Sequence, residues 1–319
     1  MSPALAATEV AIGAYVIPGS PGARLFQDFA ARLKRASNGE LTTNMLIHGE
    51  GGSEEQVLTA LRRGRIHVAS LSTLVLSSVM PEVGVLSAPF LYDSIDQADF
   101  VLDNFVIPRV NELAAEKGLV ALRWMDLGPQ NIYSKNPILG PADVRGVRIR
   151  VTQDIATKLY LEALKADVIY LPSPDVIPAL QTGLIDGGVT PTIAYAETGI
   201  VSDAPHYTLV GFSQVGNVIV ANKKWLDDLP PNLSTVVRES YASNAEIRDV
   251  LRTLVAGSLA RAAELKFTPH TPDAAQMAAW RAGAEGIAAK VIADIGGQSQ
   301  RLYDAVQEGR AAFAAREAK

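Results

Sequence analysis

The chain has 319 residues, 29 of them Lys or Arg and 34 Asp or Glu, for a formal charge of −5. That length suits two domains, because single cores stop growing at roughly 250–300 residues, and the net acidity argues against a nucleic-acid binder, which needs a basic face. The lack of cysteine excludes disulfides, thiolate nucleophiles and thiolate metal sites.

Hydrophobic residues at 48% and charged residues at 20% are ordinary for a globular protein. The four histidines (His48, His67, His206, His270) are scattered without HExxH or paired spacing, so no His-based metal site is expected. No apolar run reaches the ~18–20 residues of a membrane span. Met1–Ala7 lacks the basic and long apolar regions of an intact signal peptide; a trimmed signal would leave such a stub.

Residues 9–16 read as a first strand, ended by the turn at Pro18-Gly19-Ser20-Pro21-Gly22. Leu25, Phe26, Phe29, Ala30 and Leu33 recur at helical spacing until Asn38-Gly39. Leu41–Ile47 alternates as a strand. Ser53 with Gln56 three residues on forms a capping box for a helix to about residue 63, and Ile66–Leu71 is a third strand. This βαβαβ start implies a parallel sheet with helices on its faces. The glycines at 49, 51 and 52 precede a helix as a phosphate cradle would, but no GK[ST] or GxGxxG follows. Residues 94–117 are helical, Val120–Met125 is a strand, and Gly128-Pro129 marks a crossing into a second lobe.

A second α/β unit follows. Thr152-Gln153-Asp154 caps a helix, Asp167–Leu171 is a strand, Pro172-Ser173-Pro174-Asp175 opens another helix, and Ile185–Val189 is a short strand. Tyr207–Phe212 and Asn217–Ala221 are strands that could return the chain between lobes. From Pro231 one helical pattern runs to about Lys266, which at 1.5 Å per residue spans roughly 50 Å and should lie along both lobes. Residues 272–315 are Ala-rich helix with a turn at Gly296-Gly297.

Within the second unit, Asp143–Val151 stands out. Val147, Ile149 and Val151 alternate with Arg148 and Arg150, so a strand here carries both arginines on one face. Either this is a solvated polar face, or an arginine grips a carboxylate through paired hydrogen bonds.

Several segments taken in order resemble the periplasmic solute-binding proteins of TRAP (tripartite ATP-independent periplasmic) transporters. They are Ala88-Pro89-Phe90-Leu91-Tyr92, Asn136-Pro137-Ile138, Pro141 through Val151, Ala179-Leu180-Gln181-Thr182-Gly183-Leu184-Ile185-Asp186-Gly187, and Ala221-Asn222-Lys223-Lys224-Trp225 with Leu229-Pro230. Each is weak alone; their order and spacing make the match specific. The resemblance implies an α/β, two-lobed periplasmic-binding-protein-like fold, each lobe a mixed sheet flanked by helices, joined by hinge strands and a long lobe-spanning helix. It places 1–126 with about 215–254 in lobe I, 127–214 with about 255–284 in lobe II, and 285–319 as C-terminal helices packing across the lobes.

It further implies a receptor that captures a small organic acid in an interlobe cleft and closes on it for delivery to membrane permease subunits. Such a receptor would be periplasmic, and a monomer without cofactor is expected. Although some relatives hold the ligand through water, sodium or calcium, no acidic cluster in this sequence asks for a metal. The family's carboxylate-gripping arginine corresponds to Arg150, leaving Arg148 as surface or structural. Gln130, beside Asn131, stands where relatives carry a second arginine. Thr190 stands where many carry a ligand-contacting Asn, Ser173 where an aromatic is common, and Leu71 near an acidic residue of sugar-acid binders. Gln214 is a further polar candidate. Tyr15, Phe212 and Trp124 are candidate lining residues, with core or turn positions as their alternative reading.

One arginine anchor predicts one ligand carboxylate, and the apolar lining predicts an apolar or moderately polar body. The alternatives are a C4-dicarboxylate or sugar-acid binder, or a sensing module for a signalling partner. An enzyme would need a nucleophile with a base, a metal set or a cofactor fingerprint, and none is visible; Asp186 belongs to the Asp-Gly strand.

Overall fold

The computed structural model describes residues 7–16 and 18–317; the reading of Met1–Ala7 as a trimmed signal falls almost wholly outside them. The strands are β1 (Thr8–Gly13), β2 (Leu41–Leu46), β3 (Val68–Ser72), β4 (Leu119–Ser134), β5 (Arg148–Val151), β6 (Asp167–Tyr170), β7 (Gly187–Pro191), β8 (His206–Thr208), β9 (Gln214–Asn222) and β10 (Thr268–His270). The chain forms two compact units. The first comprises Met1–Ser72, Asn111–Asp126 and Asn217–Val250; the second comprises Thr73–Val110, Leu127–Gly216 and Leu251–Lys319. Residues 73–110 therefore group with the second unit, not with the segment that precedes them.

In the first unit β1 lies between β2 and β3, parallel to both, and β3 pairs antiparallel with β9 from Asn217 to Ala221. Helix Pro21–Ala36 buries Ala23, Phe26, Phe29 and Leu33, spaced three or four apart as an apolar stripe requires. Ser20 caps it through its hydroxyl. Helix Glu54–Arg62 begins with the capping box read from the sequence, Gln56 N donating to Ser53 Oγ and Ser53 N to Gln56 Oε1. In the turn before it, Gly49 and Gly52 have φ of +101° and +82°. That backbone demand, which only glycine meets without strain, accounts for these two glycines.

The long helical pattern after Pro231 is two helices, Pro231–Glu239 and Asn244–Ala260. The break has a packing cause. Tyr241 is buried, stacked on Phe29 at 3.9 Å and edge-on to Phe26 at 6.0 Å. Arg123 donates from Nε to Ala242 O and from Nη2 to Tyr241 O, taking carbonyls that a continuous helix would use. Ser243 and Glu246 then cap the next helix reciprocally. Propensity saw no reason to stop because these partners lie more than a hundred residues away. The second helix has residues in both units but is roughly 25 Å long at 1.5 Å per residue.

In the second unit β5 lies between β6 and β7, parallel to both. β7 pairs antiparallel with the Gln130–Ser134 half of β4, which also carries β8, with β10 beside β8. β4 continues through Gly128-Pro129, just after the boundary between the units at Asp126 and Leu127; Gly128 has φ +88°. Residues 95–116 are helical with one π-turn, Leu102–Val106. Pro108 explains it: the ring clashes with the carbonyl four residues back, and a widened turn relieves that clash.

Two predictions follow from the first unit. Arg123→Ala should lower stability by about 1–3 kcal/mol, read as a lower urea midpoint at unchanged slope. His67 Nδ1 accepts a hydrogen bond from Ala11 N, and its ring stacks on Trp225 at 4.7 Å. Burial lowers its pKa from 6.5, partly opposed by Glu9. The folded state then binds fewer protons than the unfolded one, so this stabilisation is present above the unfolded value and lost as pH falls through the folded one. Urea midpoints should fall between pH 7 and 5, with a shallower fall in His67→Gln.

Candidate functional site

The site grows from β5. Ile149 and Val151 are fully buried, so the alternate positions 148 and 150 share the other face. The two arginines on that face meet different partners. Arg148 is exposed and binds Asp186 bidentately, Nη2 to Oδ1 at 2.6 Å and Nε to Oδ2 at 2.8 Å. The Arg148 hydrogen bond holds the Asp186 carboxyl below its ordinary range, so Asp186 is an ion-pair partner that fastens β5 to the turn before β7.

Arg150 is only 5% exposed. Its Nε donates to Leu171 O at 2.8 Å and its Nη2 to Ser173 Oγ at 3.4 Å. Leu171 follows β6 and Ser173 opens a 3₁₀ turn, Ser173–Asp175. The guanidinium thus sits at the carboxyl ends of parallel strands, the end where open α/β sheets bind ligands. A backbone carbonyl fixes its orientation, and burial strengthens its attraction for an anion.

Sheet register shows which other candidates share this face. Arg150 pairs with Gly188, and Gly188 with Tyr133; one step along, Asn131 pairs with Thr190. Arg150, Tyr133, Asn131 and Thr190 therefore point the same way. Asn131 is heavily engaged: Nδ2 donates to Pro129 O and Tyr207 Oη, and Oδ1 accepts from Gly211 N. Tyr207 Oη donates to Thr190 O at 3.0 Å, and its ring stacks on Tyr195 at 4.2 Å. Gln130 points the opposite way, its Nε2 donating to Ser213 Oγ at 3.1 Å and Thr157 Oγ1 at 3.4 Å. Phe212 lies on that side too, fully buried with its ring 5.2 Å from Tyr160. Gln214 is half-buried, with Oε1 enclosed and lacking a hydrogen-bond donor.

Tyr15, Leu71 and Trp124 belong to the first unit. Tyr15 is 51% exposed and bridges to His48. Leu71 is fully buried opposite Val218 in β3. Trp124 is buried in β4, its N–H donating to Asn244 Oδ1. Sequence reasoning passed over Tyr133, Tyr207 and the Leu171 carbonyl. Tyr133 was accessible to it, standing two residues after Asn131 on one strand face; the carbonyl left no trace, because any residue supplies one. Tyr133 Oη is buried without a partner. Burial pushes its pKa up to about 12, and the nearby Arg150 charge opposes that rise.

Among the described residues no group of three or more His, Asp or Glu is placed to hold a metal, and no helix is long and apolar enough to cross a membrane. A buried arginine oriented by a backbone carbonyl at the carboxyl ends of parallel strands is an arrangement able to hold an anion. Residues 12–294 match the bacterial extracellular solute-binding proteins, family 7 (DctP), and the chain belongs to that family, whose members include TRAP periplasmic receptors.

The fold is similar to the sugar acid binding protein DctPAm of Advenella mimigardefordensis, solved with galactonate: TM-score 0.89, 25% identity, 95% of this chain and 99% of that one. It is also similar to a TRAP solute-binding protein of Sulfurospirillum deleyianum solved with succinate, at TM-score 0.84, 25% identity, and 94% and 98% coverage. The uncharacterized protein YiiZ of Salmonella typhimurium is 26% identical over 217 residues, 67% of this chain and 66% of its own length.

Arg148→Ala should cost little stability, because an exposed ion pair is weak in water. A small shift in Tm, with β5 and β7 amide protection retained in hydrogen exchange, checks this.

Proposed function

We propose that this chain is the extracytoplasmic receptor of a TRAP transporter, capturing a small organic carboxylate on Arg150 and delivering it to membrane permease subunits. The observation that carries the reading is the buried Arg150 guanidinium, oriented by Leu171 O and Ser173 Oγ. Such a group binds a carboxylate bidentately in a water-poor setting, where each charge-assisted hydrogen bond is strong.

The ligand class we favour is a monocarboxylate with an apolar or moderately polar body, such as a 2-oxo, hydroxy or aromatic acid. In support, Gln130 stands where a second anchor would be and is turned to Thr157 and Ser213, while the amide of Asn131 is engaged by Pro129, Tyr207 and Gly211. The second reading is a sugar-acid binder, favoured by the likeness to DctPAm with galactonate; a sugar acid such as galactonate also carries one carboxylate, so the two readings share the anchor and differ in the body. The succinate-bound relative keeps a dicarboxylate as a third arm of the test.

A thermal-shift screen over monocarboxylates, sugar acids and dicarboxylates separates these readings, since a ligand that binds the folded state alone raises Tm. An affinity between roughly nanomolar and micromolar, about 8–12 kcal/mol, is expected. Arg150→Ala should abolish the shift, whereas Arg148→Ala should keep it. Equal shifts in wild type and Arg150→Ala would remove the anchor assignment, and the strongest hit decides the ligand body.

A further inference from the structure

We infer that Tyr133 is a specificity-determining ligand contact, its hydroxyl donating to the carboxylate that Arg150 grips. The inference rests on the receptor reading above and adds a residue to it.

The geometry begins with the row Tyr133–Gly188–Arg150 across β4, β7 and β5. With strands about 4.8 Å apart, a tyrosine on β4 can reach across β7 toward β5 only if β7 offers no side chain there. Gly188 meets that condition. A Cβ at position 188 would stand 2.2 Å from Tyr133 Oη and 2.4 Å from Cζ, so the ring and its hydroxyl lie directly over the glycine that pairs with Arg150. Gly188 has no left-handed φ, so conformation does not require glycine here. The room for the ring does.

The second observation is the state of the hydroxyl. Tyr133 is 0% exposed, and its Oη is a buried polar atom without a hydrogen-bond partner. A buried unsatisfied hydroxyl costs folding free energy and is rare in native proteins. Every neighbouring tyrosine hydroxyl in this unit avoids the cost: Tyr207 reaches Thr190 O, Tyr195 reaches Ala204 O, and Tyr160 reaches Trp280 O. Among these four, only the hydroxyl of Tyr133, two strands from Arg150 in the same row, lacks such a partner. A phenol is a strong donor to a carboxylate, and the Arg150 charge draws the same anion to this row.

Isothermal titration calorimetry on the full chain, with galactonate, succinate, pyruvate and benzoate as probes, tests the assignment. Wild type, Tyr133→Phe, Arg150→Ala and Tyr207→Phe are compared, with ligand-free melts of each. Tyr133→Phe should weaken the bound acid about tenfold or more, since a hydrogen bond to a charged group is lost. Its ligand-free Tm should stay within about 2 °C of wild type, whereas Tyr207→Phe lowers Tm by removing a satisfied hydroxyl. Undiminished affinity in Tyr133→Phe, with binding lost in Arg150→Ala, overturns the Tyr133 contact and leaves the receptor reading standing. A Tm loss in Tyr133→Phe as large as in Tyr207→Phe, or failure to fold, makes the hydroxyl structural and also overturns it. If none of the four acids binds wild type, the receptor reading falls and this inference with it.

Discussion

A buried guanidinium is the constraint around which the second unit is arranged. Arg150 cannot shed its charge, and an ionised group taken out of water is stable only when its donors are met. Its partners Leu171 O and Ser173 Oγ come from the segment after β6, so the parallel pairing of β5 with β6 must be correct before the arginine can be accommodated. The Arg148–Asp186 pair fastens the same strand at its β7 edge. One residue type thus serves two ends two positions apart: Arg148 is an exposed brace, and Arg150 is enclosed and held by Leu171 O and Ser173 Oγ.

The polar residues around that anchor divide by how fully the fold uses them. Gln130 and Asn131 are consecutive, so they point to opposite faces of β4. Each amide is taken up by neighbours, Thr157 and Ser213 for one, Pro129, Tyr207 and Gly211 for the other. Both amides thus also position strands and turns. Tyr133 is the reverse case, a residue packed in the core whose hydroxyl has no hydrogen-bond partner.

Much of the fold was legible in local pattern. The βαβ order, the Ser53–Gln56 capping box, the stripe of Phe26, Phe29 and Leu33, and the period-two strand at Arg148–Val151 each rest on residues within a few positions of one another. Where the reading differed from the structure, the cause was remote. The helix after Glu239 stops because Tyr241 packs on Phe26 and Phe29 and Arg123 takes its carbonyl. Thr73–Val110 groups with the second unit by packing that no composition shift marks.

By itself the sequence determined that an acidic, cysteine-free α/β chain carries two arginines on one strand face, within an order of motifs shared by one family of solute receptors. Periodicity and motif spacing are properties of adjacent residues, so one chain suffices to read them. Only the tertiary structure decided which arginine is enclosed, which amides are already bonded, and that Tyr133 lies over Gly188 in the row of Arg150. Those facts depend on strand register and on carbonyls from distant segments, and neither leaves a mark on residue identity.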